Sequence, residues 1–174
     1  MTILNQSVPG PHQGQPVSVV GESLATARAA MVMVHGRGAT AESILTLVPA
    51  IDTGGFVFLA PQARGNTWYP LSFLSPIPEN EPGITSGLKA IGEALKTIAG
   101  AGIPPERTML LGFSQGACLS LEYAARNAMR YGGVACLSGG LIGPDDTPRD
   151  YAGSFAGTPA FLGCSDIDGH VPAT

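Results

Sequence analysis

TMLLGFSQGACLSLEYAARNAM, residues 108–129, joins two sequence patterns across a single turn. Its first residues are mostly apolar, as in a strand that is buried on both faces of a sheet. From Gln115 onward, alanine and leucine recur at helical spacing among small residues, which suits a helix that packs closely on a sheet. Between the two lies Gly112-Phe-Ser114-Gln-Gly116. The stretch therefore predicts a strand, a sharp turn and a helix in direct succession.

The same alternation of strands and helices extends along the chain. Short apolar runs bounded by Gly or Pro predict strands at residues 17–20, 31–34, 56–59, 109–112, 134–137 and 160–162. Helical periodicity predicts helices over residues 41–50, 84–99 and 115–129. In the last of these, Glu122 and Arg126 are expected to form an i,i+4 pair on the side away from the sheet. The alternation predicts one α/β domain over residues 1–174, with a mostly parallel, doubly wound sheet and helices on both faces.

Composition excludes several classes of protein. The net charge is −4 and the nine Lys and Arg residues form no basic run, so we expect no nucleic-acid partner. No apolar stretch is long enough to span a membrane, and the N-terminus has no secretory pattern. Cys118, Cys136 and Cys164 lack the spacing of metal ligands. We therefore expect a cytoplasmic protein with reduced thiols, no metal and no cofactor.

Two segments resist assignment to helices or strands. Residues 61–82 contain five prolines together with Trp68 and Phe73, and an apolar loop of this length in a compact domain is usually functional. We expect both aromatic side chains to contact a substrate; core packing is the alternative. The second segment, residues 139–158, is a polar, turn-rich connection.

The pattern G-x-S-x-G at Ser114 suits a nucleophilic serine. The serine must sit on a strained turn that lifts Oγ clear of the sheet, and glycines on either side avoid collisions with the neighbouring strand and helix. The helix that follows directs its free N–H groups toward the site. The alternative is a glycine-rich turn that contains a serine by chance.

A second glycine-rich loop, His35-Gly36-Arg37-Gly38, follows the predicted strand at residues 31–34. Acyl transfer needs two backbone donors aimed at the developing oxyanion, and we assign these to the amides of Arg37 and Gln115. The alternative is an ordinary glycine turn. A phosphate-binding loop is disfavoured, because the loop lacks the G-K-[ST] motif. We expect His35 to hydrogen-bond the backbone and fix the shape of the loop. We also expect it to contact the substrate.

These motifs resemble the phospholipase/carboxylesterase, or acyl-protein thioesterase-like, family of the α/β-hydrolases. The likeness also rests on Pro61-Gln-Ala-Arg, Leu137-Ser-Gly-Gly and Gly163-Cys-Ser-Asp-Ile-Asp-Gly-His-Val-Pro. It implies a nucleophile at Ser114, an acid at Asp168, and a small ester or thioester substrate without a cofactor. Asp166 is a second candidate for the acid, because it also follows the predicted strand at 160–162. Alignment with the family on Val171-Pro172 selects Asp168 as the acid and leaves Asp166 as a partner that orients the loop.

The family pattern places the catalytic histidine further along the chain, and the sequence ends at Thr174. His12 is expected to be solvated in an unstructured N-terminal stretch. His170 is only two residues from Asp168, and one short loop rarely orients both groups correctly, so it is a weak substitute for the base.

The chain is therefore expected to lack the family's last helix and edge strand, which would leave the strand at 160–162 exposed and favour a homodimer. The leading function is hydrolysis of carboxylic esters or thioesters through an acyl-enzyme. The alternatives are a non-catalytic binding protein and an enzyme for other acyl transfer, such as peptide or lactone opening.

Overall fold

The computed structural model describes residues 1–5, 8–51 and 54–165, and within them the strands form one sheet. The strands are β1 Thr2–Asn5, β2 Pro16–Gly21, β3 Ala29–Val34, β4 Phe56–Pro61, β5 Thr108–Phe113, β6 Gly133–Leu137 and β7 Ala160–Gly163. Their order across the sheet is β1-β2-β4-β3-β5-β6-β7. The pairs β1/β2 and β2/β4 are antiparallel and the remaining pairs are parallel.

Helices cover both faces of this sheet. They are α1 Ala41–Leu45, α2 Gly83–Gly100 and α3 Gln115–Arg126, with 3-10 turns at Val48–Ala50, Arg64–Asn66, Ile77–Asn80 and Pro105–Arg107. Alternate residues of β3 point to opposite faces, as the pleat requires. Val32 belongs to the core beneath α2 and α3, whereas Met31 belongs to the core beneath α1. The predicted doubly wound α/β architecture is confirmed.

The six predicted strands are confirmed, each longer by one or two residues at one or both ends, and β1 was not predicted. The helix predicted over residues 84–99 extends one residue further at each end. The helix predicted over 41–50 ends at Leu45 instead, because the ring of Pro49 would collide with the Leu45 carbonyl in a continuous helix. None of the helices in the described segments is both long and apolar enough to span a membrane.

Glu122 does not lie on the outward side of α3, which corrects the prediction for that residue. Its side chain is 1% exposed, and it pairs with Arg126 at 2.8 Å as expected. The carboxylate also accepts hydrogen bonds from the Ile142 amide at 3.0 Å and from the Tyr151 hydroxyl at 3.1 Å. Glu122 therefore fixes the 139–158 connection against α3.

At the β7 end of the sheet, the described residues leave apolar side chains exposed, as predicted. In β7, Phe161 and Leu162 are 60% and 59% exposed. Among the described residues, β7 pairs with β6 on one side and with no strand on the other.

Candidate active site

Ser114 forms the turn between β5 and α3. Its backbone has φ 51° and ψ −119°, a conformation that costs a residue other than glycine about 1–3 kcal/mol. Hydrogen bonds hold the residue there: its amide donates to the Leu137 carbonyl at 2.8 Å, and its carbonyl accepts from the Ala117 amide at 2.9 Å. The predicted strand, turn and helix are confirmed, although α3 ends at Arg126, three residues before the predicted end, and they place Ser114 at the carboxyl edge of the parallel strands.

The two glycines of the motif are required by close backbone contacts. A Cβ atom at Gly112 would lie 2.2 Å from the Gly116 carbonyl oxygen, and one at Gly116 would lie 2.1 Å from the Val34 carbonyl oxygen. Any side chain at either position would therefore force the backbone apart. These contacts explain why β3, β5 and α3 can meet so closely around Ser114.

The His35–Gly38 loop lies directly beside this turn. A Cβ atom at Gly36 would be 3.3 Å from the Cβ of Ser114. As the first residue of α3, Gln115 has an amide without an intrahelical acceptor. Within the described chain, neither the Gln115 amide nor the Arg37 amide donates a hydrogen bond to the protein. The two segments that adjoin Ser114 thus each carry a backbone amide without an acceptor in the described protein.

The side chains of the same two residues hold part of the 61–82 segment. Gln115 accepts from the Trp68 amide at 2.9 Å through Oε1 and donates to the Tyr69 carbonyl at 2.7 Å through Nε2. The Arg37 guanidinium donates to the carbonyls of Pro70 and Leu71 at 2.8 and 2.5 Å. Residues 68–71 are therefore fixed relative to Ser114, and this contact could not be predicted because it joins distant parts of the chain.

A cleft of about 590 Å³ opens beside Ser114. It is lined by Arg37, Tyr69, Pro70, Leu71, Ser72, Phe73, Ser114, Gln115, Cys118 and Ser138. Phe73 lies in the wall, so its predicted contact with substrate is geometrically feasible. Tyr69 and Ser138 were not predicted; Cys118 could have been, because it lies one helical turn after Ser114 on α3.

Trp68 and His35 do not line this cleft, which corrects their assignment as substrate-binding residues. Trp68 is buried in the core, where its indole N–H donates to the His35 carbonyl at 2.9 Å. His35 is fully buried: its Nδ1–H donates to the Gly36 carbonyl at 2.8 Å, and its Nε2 accepts from the Ala63 amide at 3.1 Å. The expectation that His35 fixes the loop by backbone hydrogen bonds is confirmed.

His12 is also buried, which corrects its prediction as a solvated residue. Its Nδ1 accepts from the Arg64 amide at 3.2 Å, and its Nε2–H donates to the Trp68 carbonyl at 3.0 Å. Burial lowers the pKa of both His12 and His35 below the ordinary value of 6.5. Since both ring nitrogens of each histidine are occupied by the backbone, neither can take a proton from Ser114.

The predicted acid Asp168, its alternative Asp166 and the substitute base His170 all lie outside the described residues, so their roles stay predictions. Within the described segments, no three His, Cys, Asp or Glu side chains are grouped so that they could hold a metal ion.

Comparisons with known proteins identify relatives of this chain. Acyl-protein thioesterase 1 of Saccharomyces cerevisiae is 30% identical over 174 residues, which cover 88% of this chain and 76% of the yeast protein. The crystal structure of a phospholipase/carboxylesterase from Dyadobacter fermentans has a TM-score of 0.87 and 43% identity, covering 90% of this chain and 75% of that one. Acyl-protein thioesterase 2 of Zea mays, at 18% identity and a TM-score of 0.53 over 72% of this chain and 62% of its own, shares the fold.

The family model described as phospholipase/carboxylesterase matches residues 15–174. The chain has the mostly parallel sheet with helices on both faces that this match implies. It therefore belongs to the phospholipase/carboxylesterase family and has an α/β-hydrolase fold.

Proposed function

We propose that this protein hydrolyses carboxylic esters or thioesters through an acyl-enzyme on Ser114. The family and the thioesterase and carboxylesterase relatives support a hydrolase of this kind. The observation that carries the proposal is the backbone of Ser114, held at positive φ between two obligatory glycines and beside two unpaired amides. A strained serine with such neighbours is typical of a nucleophile on a strand-to-helix turn.

In the proposed reaction, Ser114 Oγ attacks the substrate carbonyl carbon while its proton passes to a base. The carbonyl oxygen becomes an oxyanion and accepts hydrogen bonds from the Arg37 and Gln115 amides. Collapse of this intermediate expels the alcohol or thiol, which takes up the proton, and leaves an ester on Ser114. Water then attacks that ester by the same route and releases the carboxylic acid.

The cleft is the proposed site of the acyl group. Pro70, Leu71 and Phe73 give it an apolar wall, and its volume of about 590 Å³ fits an acyl chain of short to medium length. The wall is rigid relative to the nucleophile, because Gln115 and Arg37 each contribute both an amide beside Ser114 and a side chain that holds residues 68–71.

A second candidate function is binding without catalysis. It is favoured by one observation: both histidines in the described part of the chain are committed to backbone hydrogen bonds and cannot serve as the base. Without a base, a serine hydroxyl is a weak nucleophile. His170 and Asp168 remain the predicted partners for the proton transfer.

Turnover of matched oxygen esters and thioesters distinguishes the two functions. The protein, expressed from its complete reading frame, is compared with Ser114→Ala and with Ser138→Ala. Ser138 is a matched control, because it lines the same cleft and also has positive φ. We expect kcat/KM to fall at least about 10³-fold in Ser114→Ala and less than about threefold in Ser138→Ala. Turnover that survives in Ser114→Ala contradicts the mechanism, and no turnover in any form favours binding.

A further inference from the structure

Arg37 gives the cleft beside Ser114 its charge. Among the described residues that line the cleft, it is the only one with a formal charge, and that charge is opposite in sign to the net charge of −4 on the whole chain. Arg37 is exposed, and the ion pairs of the described segments do not include it. The cleft therefore has a cation for which the described protein supplies no counterion.

Hydrogen bonds place the guanidinium of Arg37 on the wall of the cleft. Its Nη1 donates to the Pro70 carbonyl at 2.8 Å, and its Nη2 donates to the Leu71 carbonyl at 2.5 Å. The guanidinium carbon also lies 6.0 Å from the centroid of the Tyr69 ring. All three partners line the cleft. The guanidinium is thus held on the wall while the residue stays exposed to solvent.

These contacts orient the guanidinium without satisfying it. A guanidinium carries five N–H groups, and the two carbonyls occupy only two of them. Carbonyl oxygens bear no formal charge, so the positive charge is not cancelled. The remaining donors lie on a planar fork that matches the two oxygens of a carboxylate, and a fork held in advance loses less freedom when it binds.

The electrostatics of the cleft favour an anion as well. Helix α3 begins at Gln115, and the free amides of its first turn add a partial positive charge at the edge where Ser114 lies. No acidic side chain among the described lining residues opposes the two positive groups. A cleft lined by one sign of charge attracts ligands of the other sign.

We propose that the Arg37 guanidinium binds a carboxylate on the acyl chain of the substrate, so that the enzyme prefers half-esters and half-thioesters of dicarboxylic acids to neutral acyl groups of the same size. This specificity rests on the proposed hydrolase function, which assigns the wall at Pro70 and Leu71 to the acyl group. The guanidinium is bonded to that wall, so the anion it binds belongs to the part of the substrate that stays on Ser114 in the acyl-enzyme.

Matched thioesters test the proposal. Each pair consists of a half-thioester of a dicarboxylic acid and its terminal carboxamide, which has the same shape without the charge, and the pairs form a series of increasing length. At low ionic strength we expect kcat/KM of at least one carboxylate to exceed that of its carboxamide by about three- to tenfold, the worth of an exposed but well-oriented ion pair. The ratio should fall toward one in about 0.5 M salt. A ratio of one at low salt for every length overturns the proposal.

Variants of Arg37 are compared by the same ratio, because loss of its bonds to the wall changes turnover of both members of a pair alike. We expect a ratio of about one in Arg37→Gln and a ratio above one in Arg37→Lys, which keeps the charge without the fork. Arg64→Gln is the matched control: it removes an equal charge from an exposed residue outside the cleft, and the native ratio should remain. A ratio that survives in Arg37→Gln, or that falls as far in Arg64→Gln, overturns the proposal.

A second series distinguishes the two parts of the substrate. Here the carboxylate or carboxamide is on the leaving thiol, and the acyl chain is alkyl. We expect a carboxylate preference of less than about twofold in this series, because the guanidinium is bonded to the wall assigned to the acyl group. A preference that is lost in Arg37→Gln and occurs only in this series overturns the assignment of the anion to the acyl chain.

A binding measurement separates failure of this proposal from failure of the hydrolase function. The acyl series, with each thioester replaced by an N-methylamide, is titrated calorimetrically into Ser114→Ala with Arg37 intact or replaced by Gln. We expect the carboxylate to bind about three- to tenfold more tightly than the carboxamide only when Arg37 is intact. Equal affinities overturn the proposal whether or not the thioesters are hydrolysed. A preference that depends on Arg37, in a protein that hydrolyses none of the thioesters, supports anion binding and contradicts the hydrolase function.

Discussion

Hydrogen bonds to Leu137 and from Ala117 hold Ser114 at φ 51°, and the backbones around the turn leave no room for side chains at Gly112 or Gly116. The tightest approach is at Gly116, where a Cβ atom would lie 2.1 Å from the Val34 carbonyl oxygen, and it brings α3 against β3 where the His35–Gly38 loop begins. The geometry of the Ser114 turn therefore depends on two glycines that carry no functional group.

Replacing Gly116 with Ala should lower the free energy of unfolding by about 3 kcal/mol or more, because a Cβ atom 2.1 Å from a carbonyl oxygen can be accommodated only by moving backbone. Urea denaturation measures this loss. Gly100→Ala on α2 is the control, since a Cβ there meets nothing within 4 Å, and it should not lower the free energy of unfolding. Similar stabilities for the two variants would contradict the steric account.

The buried histidines should make stability depend on pH. Burial lowers the pKa of His12 and His35 in the folded protein below 6.5, so the unfolded chain binds more protons as the pH falls through that value. The contribution of the neutral rings to the free energy of unfolding is complete above about pH 7. The free energy of unfolding should therefore decrease as the pH falls from 7 toward about 5. Urea denaturation across this range checks it, and His35→Gln should flatten the slope. If the free energy of unfolding rises on acidification, the two histidine rings are not neutral and hydrogen-bonded to the backbone in the folded protein.

At the scale of elements, local pattern predicts most of the sheet and fails where a partner comes from far along the chain. Apolar runs identified the six strands from β2 to β7, whereas β1 is a four-residue edge strand with exposed Ile3 and only two apolar residues, too short a run to reveal it. Helical spacing placed Glu122 opposite the apolar stripe of α3. It is buried because the 139–158 connection folds over it, and no periodicity within α3 encodes that contact.

Glu122→Gln should lower the free energy of unfolding by about 2–3 kcal/mol, because it weakens the bonds from Arg126, the Ile142 amide and Tyr151 at a buried carboxylate. Residues 139–158 should also become more susceptible to limited proteolysis. Glu93→Gln is the matched control: Glu93 pairs with the exposed Lys96 at 2.6 Å on α2, and its loss should cost less than about 0.5 kcal/mol. If both variants behave alike, Glu122 does not anchor the connection.

At the scale of the molecule, the sequence predicted the central turn but only part of the cleft. Ser114 and its glycines form a local motif, so their arrangement follows from spacing alone. The cleft wall depends on how Gln115 and Arg37 hold residues 68–71, across 33 to 47 positions of chain. Trp68 and Phe73 therefore looked equivalent in sequence, although one packs in the core and the other faces the cleft.

The exposed side of β7 leads to a prediction about assembly. Phe161 and Leu162 present apolar surface beside a strand edge that is unpaired in the described part of the chain, which favours association between copies. Sedimentation velocity of the 174-residue chain should show a concentration-dependent shift toward dimers. Phe161→Lys should reduce that shift without altering the fold. A monomer at all concentrations would contradict the prediction.

The central claim is that Ser114 is the nucleophile, and covalent labelling tests it most directly. The native protein, Ser114→Ala and Ser138→Ala are incubated with a fluorophosphonate, digested and analysed by mass spectrometry. We predict a stoichiometric adduct on Ser114 in the peptide spanning residues 108–126, unchanged in Ser138→Ala and lost in Ser114→Ala. An unlabelled Ser114 in the native protein, or labelling that persists in Ser114→Ala, would contradict the claim.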